Sequence, residues 1–123
     1  MNKSVRIVLL GDADKAFKRL NEIVGKQIEL GIESSEEIQL LRSIKQKVDF
    51  IRHNPFYGNP IVKNLIPEEY KVKYKAINLF RAELSQFWRM LYTLKGDEIE
   101  IIAFVLDIID HPTYNSKFGY KGR

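Results

Sequence analysis

Five side chains in the second half of the sequence could carry chemistry together: Arg81, Glu83, Arg89, His111 and Tyr114. His111 is the one group of that region that titrates near neutrality, which suits an acid or a base. An arginine stays charged and offers paired donors, which suits the stabilisation of an anion. Glu83 stands two residues after Arg81, so on a strand the two share a face. It could act as a base or orient Arg81. His111 and Tyr114 belong to "DHPTYNSKFGYKGR", residues 110–123, which also carries Phe118, Tyr120, Lys117, Lys121 and Arg123. Terminal segments are usually frayed and featureless. A tail this rich in aromatic and cationic groups is either a surface decoration or one half of a site.

The elements that must position these residues follow from the hydrophobic pattern. "SVRIVLL" reads as a buried strand, Val5 to Leu10, ended by Gly11 and Asp12. Asp12 or Asp14 is the expected cap of a helix whose apolar face is Ala13, Ala16, Phe17, Leu20, Ile23, Val24 and Ile28, with Gly31 as its stop. "ESSEEIQLLRSIKQKVDFIRHNP" reads as a second helix. Ser34 and Glu37 form a capping-box spacing, Ile38, Leu41, Ile44, Val48 and Ile51 form the buried stripe, and Asn54–Pro55 ends it. The short link predicts an antiparallel helical hairpin.

"NPFYGNP" is a loop by composition. "IVKNLI" is expected as a short strand, and "PEEYKVKYKA" as a helical turn or an irregular crossing. "INLFRAEL" alternates, with Phe80, Ala82 and Leu84 on one face and Leu79, Arg81 and Glu83 on the other. "QFWRMLYTL" is a further strand, "KGDE" a turn, and "IEIIAFVLDII" a central strand. The expected order is β-α-α-β-β-β with a tail. This is an α+β fold with the helical hairpin packed on one face of a mostly antiparallel sheet. The other face is then free for function.

Composition narrows the function. The 123 residues fit a single domain, 1–123, able to bury a core without covalent staples. There is no cysteine, which excludes disulfides, thiolate metal sites and cysteine nucleophiles. No glycine-rich phosphate loop is present. The histidines, His53 and His111, lie far apart, and Asp107, Asp110 and His111 could meet a cation only by chance of spacing, so no metal site is expected. No signal-peptide pattern or bilayer-length apolar run occurs, and we expect a soluble, cytoplasmic protein with no membrane association. A net charge of +4 favours an anionic partner, although mild basicity also serves solubility alone.

The segment "LFRAELSQFWRMLYTLKGDEIEIIAFVLDIIDHPTYNSKFGY" resembles the C-terminal half of the RelE/ParE toxin superfamily, and more narrowly its RelE-type members from toxin–antitoxin systems. The pieces that carry the resemblance are a strand with Arg81, then "WRMLY" with Arg89 and Tyr92. A polar turn and an apolar strand follow, then "HPTY" with His111 and Tyr114. The strand–helix–helix start also fits. The long helices and the "NPFYGNP" loop suggest a longer variant subfamily.

The resemblance implies metal-independent cleavage of messenger RNA on a 70S-type ribosome, with no cofactor, and neutralisation by a cognate antitoxin protein. In that chemistry a 2′-hydroxyl attacks the adjacent phosphate. Arg89 would clamp the phosphate and Arg81 would add positive field. Glu83 would act as base or orient Arg81, and His111 would be acid or base. Tyr114 would stack on a base or donate to the phosphate. Tyr92, Lys117, Tyr120, Lys121 and Arg123 would line the RNA path.

Duller readings exist for each residue. Arg89 could be a solvent-facing strand arginine, Arg81 and Glu83 a surface pair, His111 a strand-end residue, and Tyr114, Phe118 and Tyr120 packing groups. His53 fits a helix C-terminus, where the dipole favours it. Some RelE-type enzymes carry two lysines where this chain has Arg81 and Glu83, and a basic cluster where it has "DHPT". Others use Glu, Arg, His and Tyr, and this chain is closer to them. Asp110 could raise the pKa of His111 and brings negative charge toward an RNA path. The other function class is a binding module without catalysis, such as a gyrase-targeting ParE-like toxin. The two classes part on geometry: catalysis requires Arg81, Glu83, Arg89, His111 and Tyr114 to converge on the sheet face away from the helices.

Overall fold

The computed structural model describes residues 3–119; Tyr120, Lys121 and Arg123, expected along an RNA path, lie outside the described residues. Within residues 3–119 the chain forms β1 (Ser4–Leu9), α1 (Gly11–Glu29), α2 (Glu36–His53), β2 (Asn59–Pro60), α3 (Glu68–Tyr74), β3 (Phe80–Glu83), β4 (Arg89–Gly96), β5 (Glu100–Ile109) and α4 (His111–Lys117). The strands make one sheet in the order β1-β5-β4-β3-β2. The β1–β5 pair is parallel, and the other pairs are antiparallel. The expected α+β fold is the observed one.

The hairpin of α1 and α2 covers one face. Ala13, Leu20, Val24, Ile38, Leu41, Ile44 and Ile51 pack there on Phe80, Ala82, Met90, Tyr92, Ala103, Val105 and Ile108. Two helix ends differ from expectation. No side chain caps α1; Asp12 and Asp14 lie inside its first turn, where they favour the positive end of the helix dipole. The cap of α2 is Ser35, not Ser34. Its Oγ accepts from the Ile38 N–H at 3.0 Å. Glu37 accepts from the Gln27 side-chain amide at 2.9 Å, and so ties α2 to α1 rather than closing a capping box. Gly31 does stop α1. Its φ of +80° is left-handed, and the N–H groups of Gly31 and Ile32 bond back to Ile28 and Gln27.

The second face is not free. Ile66, Tyr70, Ala76, Leu79, Leu91, Leu106, Ile109 and Tyr114 form a separate core there, under α3 and α4. Instead of a strand, "IVKNLI" makes a 3-10 turn at Lys63–Leu65, which leads into α3 behind Pro67. The tail is the helix α4 rather than a strand end, because Asp110 caps it through the Thr113 N–H at 3.0 Å and Pro112 sits in its first turn, where no N–H is missed.

The β4–β5 ladder shifts at Leu91/Tyr92, where the partner of Leu91 is Asp107 and that of Tyr92 is Val105. Leu106 is the extra residue. This β-bulge changes the phase of β5. Ala103 and Val105 face the hairpin, as does Ile108, whereas Leu106 and Ile109 join the second core. Asp107 is thereby turned toward the second face, where the Tyr70 hydroxyl donates to it at 2.7 Å.

Candidate functional site

The strand register brings the candidate residues together. Arg81 and Glu83 project from β3 on the face opposite the hairpin. Glu83 stands across from Arg89 of β4, and Arg89 across from Ile109 at the end of β5. α4 starts immediately after β5, so His111 and Tyr114, three residues apart on one helical face, arrive over the same spot.

The contacts are specific. The Glu83 carboxylate bridges both arginines, with one oxygen 2.9 Å from Arg81 Nε and the other 3.0 Å from Arg89 Nε. Arg81 Nη1 donates to the Tyr114 hydroxyl at 2.9 Å. Both guanidinium groups lie over the Tyr114 ring, at 5.7 Å and 5.1 Å from its centre. Arg89 Nη2 stands 3.5 Å from His111 Nδ1. Nε2 lies 3.3 Å from the Asn115 side-chain amide.

Arg81, Glu83, Arg89, His111 and Tyr114 thus meet on the face away from α1 and α2. Their individual settings differ. Tyr114 is only 2 % exposed, and its ring is stacked on Phe118 at 4.3 Å. It supports two cations from beneath, and it has no open ring face on which a base could stack. Phe118 packs the tail onto the sheet.

Other expected RNA contacts are corrected by their positions. Tyr92 is 0 % exposed and belongs to the hairpin side. Its ring stacks on Phe80, and its hydroxyl donates to the Pro55 carbonyl and accepts from the Gly58 N–H. Gly58 is required there, since a Cβ would stand 2.9 Å from that hydroxyl. Lys117 turns away from the arginines, to Glu69 at 2.9 Å and Asp107 at 3.7 Å. Burial alone would lower its pKa, but Glu69 and Asp107 together raise it. Lys117 therefore fastens α4 to α3.

The nearby acids are already engaged. Asp110 caps α4, and that bond to Thr113 holds its carboxyl below the usual range. Asp107 is buried, and burial raises its pKa against the opposing pull of Tyr70 and Lys117. His111 stands beside Arg89 and Asn115, and among the described residues Asp107, Asp110 and His111 do not gather around one point. His53 is exposed at the end of α2, bonded to the Asp49 carbonyl at 2.8 Å, away from the five. A groove of about 290 Å³ between the hairpin and Trp88 contains none of the five and lies on the opposite face.

Two features carry little signal in the sequence. Gln86 and Phe87 both adopt left-handed backbone, with φ of +54° and +63°, in a tight turn without glycine. The Tyr70–Asp107–Lys117–Glu69 chain joins residues up to 48 positions apart. An Asp followed by proline two positions later does signal a helix start, and would have revealed α4.

The chain thus has an α+β sheet with a helical hairpin on one face and an arginine–histidine–tyrosine cluster on the other. Among solved structures, the chain is similar to a YoeB/ParE toxin from Agrobacterium tumefaciens, with a TM-score of 0.56 and 10% sequence identity over 86% of this chain and 98% of that one. It shares the fold of that toxin. No family model and no curated protein matches it in sequence. No helix among the described residues is long and apolar enough to cross a membrane.

Proposed function

We propose that the protein is a RelE-type toxin of a toxin–antitoxin pair, acting in the cytoplasm as a ribosome-dependent, metal-independent endoribonuclease on messenger RNA. The observation that supports this most is the convergence of Arg81, Glu83, Arg89, His111 and Tyr114 on one face. Two guanidinium groups held over one aromatic ring make a preorganised anion site. The 2′-oxygen bonds to phosphorus as the P–O5′ bond breaks. Glu83, 49 % exposed, takes the hydroxyl proton, and His111 supplies one to O5′. A carboxylate between two guanidinium groups is a weak base, so the arginines give the larger share of the acceleration. The partner is a cognate antitoxin whose binding shields this face.

In vitro translation of a reporter message, with primer extension to find new 5′ ends, tests the reading. Ribosome-dependent cuts are expected from the intact protein. Arg89→Ala should slow them by about 10²–10³-fold, and His111→Ala by about 10²–10⁴-fold. No cuts under conditions where a known ribosome-dependent toxin cleaves would favour a non-catalytic module, with gyrase as the first partner to assay. The engagement of both arginines by the one Glu83 carboxylate is the feature that suits that second reading.

A further inference from the structure

Tyr114, the tyrosine expected to stack on a base, is buried, yet an aromatic ring does stand open beside the arginines. Phe87 is 71 % exposed. It belongs to the Ser85–Phe87 turn between β3 and β4, whose neighbours are firmly placed. Gln86 donates to Gln39 of α2 at 3.0 Å, and Trp88 packs into the hairpin core. Phe87, between them, is turned to the opposite side. Its ring centre lies 6.0 Å from that of His111, at an interplanar angle of 50°. Its carbonyl accepts from Arg89 Nη1.

Two circumstances make this placement unusual. An exposed phenylalanine contributes little to folding, since its apolar surface stays in water. Its φ of +63° is also one that residues with a Cβ rarely adopt, and glycine would relieve it. The backbone is held there by an arginine of the site itself. Strain that persists next to reactive groups, and that aims a side chain at them, is a mark of function.

We propose that Phe87 is the base-stacking residue of the site: it receives the nucleobase next to the phosphate bound by Arg89 and Arg81. The inference rests on the RNA-cleaving reading above. An aromatic face is sequence-tolerant, because every base has a π-surface, so Phe87 sets the position of the strand rather than its sequence. The ring and the guanidinium of Arg89 are joined through the Phe87 carbonyl, and so base and phosphate are positioned by one unit.

The test is single-turnover cleavage of a message in programmed ribosomes, titrated with Phe87→Ala, Phe87→Gly and Phe87→Trp proteins. Matched messages carry an abasic nucleotide on either side of the cut. Phe87→Ala and Phe87→Gly should raise the half-saturating protein concentration by roughly ten- to hundredfold with the maximal rate nearly kept. Phe87→Trp should restore it. The penalty should vanish on the message whose stacked base is missing. Phe87→Gly guards against a folding artefact, since it relaxes the turn. Equal titrations for Phe87→Ala and the unaltered protein, on ribosomes that the unaltered protein cleaves, would overturn the inference and leave the RNA reading standing. A mutation penalty that is the same on intact and abasic messages would also overturn it, pointing to a protein contact on the ribosome. No cleavage by the unaltered protein would remove both.

Discussion

The two faces of the sheet are held by different means. Under α1 and α2 the contacts are mostly apolar, and the interior is Leu, Ile, Val and Ala with Phe80, Met90 and one buried tyrosine. Under α3 and α4 the apolar core is smaller and is crossed by polar bonds: Tyr70 to Asp107, Lys117 to Glu69 and Asp107, Arg81 to Tyr114. Apolar burial is indifferent to pH and to direction. Buried polar bonds fix orientation, but they make stability depend on protonation. The first face therefore supplies stability, and the second holds a cluster of charged groups in place.

That division can be broken most sharply on the hairpin side. Ile44 is fully buried between α2 and the sheet. Ile44→Ala should cost about 2–5 kcal/mol in urea unfolding, equally at every pH, while folded protein keeps its arginine cluster. A smaller effect is expected at Tyr70. Tyr70→Phe leaves the buried Asp107 without its hydroxyl donor and should cost about 1–3 kcal/mol. If it cost nothing, the second face would be an ordinary apolar core.

The smallest effect is a change of slope. The folded pKa of Asp107 is raised, so the folded state holds its proton more tightly than the unfolded chain does. Stability from this group is full below the ordinary carboxylate pKa and falls as pH rises through the elevated folded value. Tyr70→Phe should steepen that fall, because the hydroxyl bond opposes the rise. Asp107→Asn should flatten it and leave Tm at neutral pH unchanged or higher. Thermal melts between pH 4 and pH 8 would show an unaltered slope if Asp107 does not titrate differently on folding.

Period-two alternation made much of this legible. It placed Arg81 and Glu83 together and opposite Phe80 and Ala82, as the structure has them. The same rule also answered a question that the reading of Tyr92 passed over. Tyr92 stands three residues from Arg89 on one strand, an odd spacing, and so must face the other side. The Ser35 cap is one residue from its expected place because adjacent serines offer the same oxygen, and the bonds of Gln27 decide between them. The second core was hidden because α3 and α4 are seven-residue helices, too short to show periodicity. The left-handed turn at Gln86–Phe87 was hidden because glycine, the usual sign of such a conformation, is absent from it.

The bulge at Leu106 has a wider consequence. A regular strand can slide along its neighbour by two residues and present the same kind of side chain to each face. β5 cannot, because its phase differs on the two sides of Leu106. Any slip on β4 would push Asp107 among the aliphatic groups under the hairpin, or bring Ile108 out against the acids and lysines beside α3. The ladder has one register in which both halves are satisfied. Deleting Leu106 would remove only the extra residue and keep Val105 and Asp107 opposite Tyr92 and Leu91. Deleting Ile108, by contrast, should do more harm than many substitutions, since it would turn Ile109 to the hairpin side and displace the helix that delivers His111.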